Sequence, residues 1–378
     1  MNELISKVPN GMRYYFGAAA RRRRAVEDTI MEVFDGWSYE EITTPAVDYL
    51  ALFELGMGRE AANRAFRFTD GDGSLLALRP DVTSSVARAT ATLFAQRARP
   101  LRLCYAASVF RQRPQSHAEW RRESRQLGCE FIGSSESIAD MEMLAIATEI
   151  FERLGLQDDY RITISSVEVF NGITEELGLD AFGRERMRHL IDIRDAADLQ
   201  RFLAEYQIPA QDCVAFSRLA QLPGKREVLD EARCVITNKR SRAALVKLEE
   251  LWRLIEELGL SDVFEIDLGD VSELDYYTAL TFKVYLTGAG SRVGGGGRYD
   301  RLIANFGKSE PAIGFVLELD ALIDVLLRRD IKTPVSADAE TDDAQMTSDD
   351  PASVLLEARE RRRQNERVRV GLKRSENA

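Results

Sequence analysis

Residues 170–258 break the texture of this chain. Polar helical segments dominate there and strand patterns are few, whereas strand and helix patterns mix on both sides of the block. An alternating doubly wound sheet would space its helices evenly between strands. A helical block set between two strand-bearing stretches instead predicts an α+β fold: an antiparallel sheet flanked by helices, with a helical insertion.

The patterns on either side fill in that frame. Residues 19–35 predict a helix with Val26, Ile30, Val33 and Phe34 on one face. Tyr39–Thr44 reads as a short strand that stops at Pro45. Phe66–Thr69 and Leu75–Leu78 flank Asp70-Gly71-Asp72-Gly73, a strong hairpin turn. A helix is expected over Thr83–Gln96, and strands over Leu101–Phe110 and Gln126–Ile132 with an arginine-rich loop between them. Residues 136–155 form an amphipathic helix pattern with Ser137 as its expected N-cap. Strands follow at Arg161–Val167, then after the helical block at Phe264–Leu268, Tyr277–Tyr285 and Ala312–Leu317. The last of these feeds a helix over Asp320–Arg329.

The core is expected to end near residue 330. Residues 334–353 carry six acids, no base and two prolines, which predicts a disordered acidic linker. The basic stretch 354–378 is expected to form one short helix around Leu355–Arg367 and otherwise to stay solvated.

Composition excludes several function classes. Asp plus Glu outnumber Lys plus Arg by 62 to 51, for a formal charge of −11, which disfavours non-specific nucleic-acid binding. His117 and His189 are the only histidines and lie far apart, so no multi-histidine metal site is expected. Cys104, Cys129, Cys213 and Cys234 form no C-x-x-C pair and read as reduced core thiols. No signal-peptide run or membrane-length apolar stretch is present, so a cytoplasmic protein without a membrane role is expected. P-loop, dinucleotide, zinc-protease and hydrolase-elbow motifs are absent, and no cofactor is expected.

Four segments carry candidate chemistry. In Leu78–Thr83, Asp81 and Thr83 could grip an ammonium group at a strand-to-helix junction, or Asp81 could simply cap the helix. Arg111, Gln126 and Glu130 flank the arginine-rich loop, and strand alternation puts Gln126 and Glu130 on one face. The paired Tyr276 and Tyr277 could wall a small-molecule pocket. The run Gly294–Gly297 before Arg298, Tyr299 and Asp300 is costly in a strand unless something approaches the backbone closely.

Together, in this order, these segments resemble the catalytic core of histidyl-tRNA synthetase, a class II aminoacyl-tRNA synthetase, over about residues 7–327. Leu78–Thr83 resembles its L-R-P-E-x-T segment, and Phe110–Glu130 its second class motif with the closing Q-L-G-x-E. Leu274–Tyr277 and Gly295–Asp300 resemble the histidine-specific L-D-Y-Y and G-G-G-R-Y-D motifs, and Thr43-Thr44-Pro45 sits where the dimer-forming first motif belongs. The resemblance implies a dimer and a pocket in which Asp81, Thr83, Arg111, Gln126, Glu130, Tyr276, Tyr277 and Tyr299 surround histidine.

The departures from that pattern fall on the nucleotide side. Ser272-Glu273-Leu274-Asp275 stands where the family has R-G-L-D, and Arg113 where it has the acid of F-R-x-E. Glu318-Leu319-Asp320-Ala321 replaces G-L-E-R, so an arginine that would hold an ATP phosphate is lost and two carboxylates face its place. The family's anticodon-binding domain has no expected counterpart. A synthetase core with these changes resembles the family of ATP phosphoribosyltransferase regulatory subunits. That resemblance implies a noncatalytic subunit which joins a short-form catalytic subunit in a hetero-oligomer. The complex would carry out the first step of histidine biosynthesis, with L-histidine as feedback inhibitor. Two other classes compete with this one. A residual amino-acid-activating enzyme is opposed by Ser272 and Ala321. An RNA-dependent sensor is favoured only by the arginines of 111–125.

Overall fold

The computed structural model describes residues 7–112, 121–206, 210–220, 223–271, 276–329, 344–347, 350–364, 366 and 368–371. Up to residue 166 the elements are α1 (Gly17–Gly36), β1 (Glu40–Glu41), β2 (Val47–Tyr49), α2 (Leu50–Met57), α3 (Arg59–Ala62), β3 (Arg67–Thr69), β4 (Leu75–Leu78), α4 (Thr83–Ala91), β5 (Leu101–Phe110), β6 (Glu123–Ile132), α5 (Ser137–Arg153) and β7 (Tyr160–Ser166). The expected helical block then appears as α6 (Val167–Glu176), α7 (Ala181–Asp192), α8 (Ala196–Glu205), α9 (Ala210–Leu219), α10 (Arg226–Val235) and α11 (Lys239–Glu257). The chain returns to the sheet through β8 (Phe264–Ile266), β9 (Leu280–Leu286), β10 (Gly294–Arg298) and β11 (Ala312–Glu318), and α12 (Leu319–Arg328) closes the core.

The main sheet runs β1-β5-β6-β11-β10-β9-β7-β8. Its six central strands are antiparallel throughout, as expected. Its two edges are not: β1 runs parallel to β5, and β8 parallel to β7, which makes the sheet mixed. One face buries Cys129, Phe131, Phe282, Val284, Phe315 and Leu317 against apolar stripes of the helices. Those stripes include Ile30, Val33 and Phe34 of α1, Leu144, Ala147 and Phe151 of α5, and Leu322, Ile323 and Leu326 of α12. Burying each large side chain of this kind contributes about 1.5–3 kcal/mol before the entropy of ordering it. The other face keeps small and polar residues, and register sets them in rows. Tyr105, Gly128, Val316, Gly295 and Lys283 lie in one row; Leu103, Glu130, Gly314, Gly297 and Thr281 lie in the next.

Several sequence expectations need correction. The glycine run forms the strand β10, hydrogen-bonded on both sides. Ser137 does not cap α5: it is already helical, and Glu136 holds the cap position with no side-chain hydrogen bond. Helix α4 stops at Ala91 rather than Gln96, where the Thr92 hydroxyl donates to the carbonyl of Arg88 and the backbone turns away. The second expected strand after the helical block begins at Leu280, so Tyr277 precedes it. Cys104, Cys129 and Cys213 are buried thiols, but Cys234 is exposed.

In the tail, residues 334–343 and 348–349 lie outside the described residues. Where a disordered linker was expected, Ala344–Thr347 forms β12, which pairs in parallel with β13 (Val368–Gly371). Between them runs α13 (Pro351–Arg363), four residues earlier at each end than its expected span. Asp350 caps it by accepting from the backbone of Ala352 and Ser353, with Pro351 in the first turn. Met346, Val354 and Ala358 bury one another, which gives this segment a small core of its own.

Candidate functional site

The pocket-forming face of the sheet exists because glycines leave it empty. A Cβ on Gly128 would stand 2.6 Å from the Tyr105 ring, and one on Gly314 would overlap the Glu130 carboxylate at 1.6 Å. A Cβ on Gly297 would press to 2.9 Å from the Tyr277 ring. The approach inferred from the glycine run is thus made by this chain itself: by the backbone of the strands on either side and by the side chains of Leu317, Phe315 and Tyr277.

Above those rows a cleft is lined by Asp81, Thr83, Arg111, Gln126, Tyr276 and Tyr277, six of the eight residues expected there. The other two lie just beneath it. Glu130 is 1 % exposed and accepts three hydroxyls: Tyr299 Oη at 2.6 Å on one oxygen, and Thr83 Oγ1 at 2.9 Å with Tyr105 Oη at 3.2 Å on the other. Burial pushes its pKa up to about 7 despite those three donors. Tyr276 stacks edge-on to both Tyr277 and Tyr299, with ring centroids 4.8 and 6.0 Å apart. Glu130 therefore fixes the floor and the tyrosines form the wall.

Asp81 differs from Glu130 in one respect. Its Oδ2 accepts from Ser84 Oγ at 3.1 Å, but its Oδ1 is buried without a hydrogen-bond partner. Val82 holds the cap position of α4, and Asp81 just before it reaches forward to Ser84, so its Oδ2 serves the start of the helix while Oδ1 does not. Burial raises the Asp81 pKa to about 6, partly offset by the Ser84 hydrogen bond and by the Arg111 charge. Thr281 Oγ1 and Asp270 Oδ2, also buried without a hydrogen-bond partner, belong to residues across the same cleft. Unsatisfied polar groups in a cleft of this kind suit a ligand with donors for the carboxylates.

Along the rim towards α12 the side chains bond to one another. Gln126 Nε2 donates to Glu318 Oε1 at 2.7 Å, and Arg111 Nη1 lies 3.8 Å from the same oxygen. Arg111 also donates to the Pro80 carbonyl at 3.1 Å. Asp320, 3 % exposed, accepts from Tyr15 Oη at 2.7 Å, Arg23 Nε at 3.1 Å and the Arg125 backbone at 2.7 Å, with Arg121 at 3.7 Å. Arg113, His117 and Ser272–Asp275 lie outside the described residues.

Sequence reasoning missed the far end of the cleft, where Lys283 Nζ stands 2.5 Å from Asp270 Oδ1 with Arg292 close by. A lysine on the strand β9, opposite a glycine of β10, was the available signal. Among the described residues no group of three or more His, Cys, Asp or Glu is arranged for a metal ion, and no helix is long and apolar enough to cross a membrane.

Residues 11–322 match the family described as histidyl-tRNA synthetase. The chain is 35% identical over 336 residues to the ATP phosphoribosyltransferase regulatory subunit of Moorella thermoacetica, covering 89% of this chain and 85% of that one. This chain belongs to the family of ATP phosphoribosyltransferase regulatory subunits. Among solved structures, a protein of Bacillus halodurans described as an ATP phosphoribosyltransferase regulatory subunit/histidyl-tRNA synthetase superposes with a TM-score of 0.84 at 25% identity. That match covers 99% of this chain and 94% of the other. Histidyl-tRNA synthetase from Nostoc shares the fold, with a TM-score of 0.79 at 22% identity over 98% of this chain and 87% of that one. The family thus keeps a synthetase architecture, and the α+β expectation holds.

Proposed function

We propose that this chain is the noncatalytic regulatory subunit of a hetero-oligomeric ATP phosphoribosyltransferase. It joins a short-form catalytic subunit, is required for the first step of histidine biosynthesis, and binds L-histidine to impose feedback inhibition. The observation that carries the reading is the buried, unpartnered Oδ1 of Asp81 at a cleft walled by Tyr276 and Tyr277. The ligand's α-ammonium pairs with Asp81, and Thr83 and Gln126 stand beside it. Arg111 takes the carboxylate, and the imidazole lies against the tyrosines over the floor set by Glu130 and Tyr299. The nucleotide side supports no activation chemistry on this reading, because Glu318 holds Gln126 and Arg111, Asp320 is spent on arginines, and Ala321 offers no cation. The synthetase-like core ends near residue 330, and the segment after it is an appendage.

Self-association also belongs to this proposal. The three-stranded sheet β2-β4-β3 sets Tyr49, Leu76 and Phe68 in one cross-strand row, with Val47 on the same face. Val47, Tyr49 and Phe68 are exposed, beside the exposed Pro45. Apolar exposure of this kind suits a dimer contact.

Mixing the chain with a short-form catalytic subunit tests the reading. The two are expected to co-purify, with phosphoribosyltransferase activity appearing only in the mixture and declining with added histidine. The chain alone is expected to give no histidine-dependent ATP–pyrophosphate exchange. If the catalytic subunit is equally active and equally histidine-sensitive by itself, the regulatory assignment fails.

A further inference from the structure

A second cleft lies on the other side of Tyr276 and Tyr277, between the helical block and the sheet. Its volume is about 470 Å³, within the roughly 300–1,000 Å³ of small-molecule sites. Arg184 and Arg188 of α7, Arg240 of α11 and Arg301 line it, against one carboxylate among the described residues, Glu168 of α6.

These arginines are not equally occupied. Arg240 is spent, donating to both oxygens of Glu168 at 2.7 and 2.8 Å and to Glu175 at 3.0 Å. Arg188 lies 3.2 Å from Glu185 and over the Phe170 ring. Arg184 meets only the neutral amide oxygen of Asn171, at 2.9 Å. Arg301 has no hydrogen bond or ion pair with any described residue. Among the described residues of the lining Glu168 is the one acid; Arg240 holds both its oxygens and Arg301 feels its charge, so four guanidiniums share one lining carboxylate.

We propose that this cleft binds a small phosphoryl anion, such as pyrophosphate or a phosphate ester up to mononucleotide size, between Arg184 and Arg301. Guanidinium forks on separate walls suit a tetrahedral group with several charged oxygens better than one planar carboxylate. Phe170, Tyr276 and Tyr277 supply apolar surface for the rest of an ester. The overall charge of −11 disfavours a polynucleotide as occupant.

The test titrates inorganic pyrophosphate, and separately AMP, into the full chain by calorimetry at low ionic strength. One saturable site is expected, weakening as salt rises. Arg184→Ala and Arg301→Ala should each weaken it by about tenfold or more, the range for a hydrogen bond to a charged group. Arg301→Lys should retain part of the affinity, which separates loss of charge from misfolding. Binding of AMP alone, if equally sensitive to both arginines, supports an ester over the inorganic anion. Absence of saturable binding by either probe overturns the proposal, as does affinity unchanged in both alanine variants. Loss of binding in Arg328→Ala instead would place the anion in the cleft beside α12 and also overturn it.

Discussion

Asp81, half-buried with one oxygen fully enclosed, and the buried Asp320 are both carboxylates beside the same sheet, and their surroundings differ in kind. Asp320 is saturated: a tyrosine hydroxyl, a backbone amide and the guanidinium of Arg23 all point at it, with Arg121 near. Asp81 has one serine hydroxyl and an oxygen with nothing. The chain satisfies its charges on the α12 rim and leaves one open at the tyrosine wall. An internally satisfied charge ties elements together, here α1, β6 and α12, whereas an unsatisfied one lowers stability and is tolerated where a ligand completes it.

That contrast predicts the largest effect at Asp320. Replacing it by alanine strands the Arg23 guanidinium beside Arg121, both mostly buried. Removing one partner of such a pair typically costs about 3–5 kcal/mol. Denaturant unfolding of Asp320→Ala should show that loss. A change below about 1 kcal/mol would mean that the network is not what holds α1 against α12.

At Asp81 the effect should appear in binding. If the ligand ammonium completes Oδ1, Asp81→Ala removes one side of a buried charged pair, a loss of about 2–5 kcal/mol. That corresponds to histidine affinity weaker by roughly 30-fold or more, read by calorimetry. Unchanged affinity would place the ligand outside this cleft. The ligand-free protein should also carry a pH signature with a definite sign. Burial raises the Asp81 pKa to about 6, so the folded state holds a proton that the unfolded state releases near pH 4. Stability is therefore full below about pH 4 on this account and declines as pH rises through about 6, by roughly 1 kcal/mol between pH 5 and 7. Asp81→Asn cannot ionise and should lose that slope relative to the parent protein.

The sequence revealed the two ends of this contrast unequally. Period-2 alternation placed Gln126 and Glu130 on one face, and the structure keeps them there. What alternation could not reveal is that Glu130 is consumed by hydroxyls arriving from Thr83, Tyr105 and Tyr299, residues up to 169 positions away. The same limit applies to Asp320. As a sequence it stands as an anion facing a nucleotide site, and only the packing of α1 and the start of β6 brings Tyr15, Arg23 and the Arg125 amide to it. The glycine run was recognised as a place of close approach but what approaches it was not legible, because the two flanking strands come from distant chain. The tail shows the reverse: composition suggested a disordered linker over 334–353 before a short helix, and Met346 from that stretch packs with Val354 and Ala358 of α13 in a small unit.

Glu318 supplies the finest test, since it lies where the saturated rim meets the open cleft. It accepts from Gln126 at 2.7 Å and faces Arg111 at 3.8 Å, and its side chain is about a quarter exposed. A glutamine at this position keeps an oxygen for Gln126 but removes the charge that competes with a ligand carboxylate for Arg111. Half-exposed ion pairs contribute about 0.2–1 kcal/mol, so Glu318→Gln should change folding stability by no more than about 0.5 kcal/mol. Histidine affinity should instead rise about two- to fivefold, because Arg111 then meets the ligand carboxylate without a rival anion. The sign matters more than the size. Weaker binding in Glu318→Gln would mean that Glu318 orders Arg111 and Gln126 for the ligand rather than competing with it, and the rim would then belong to the pocket instead of standing apart from it.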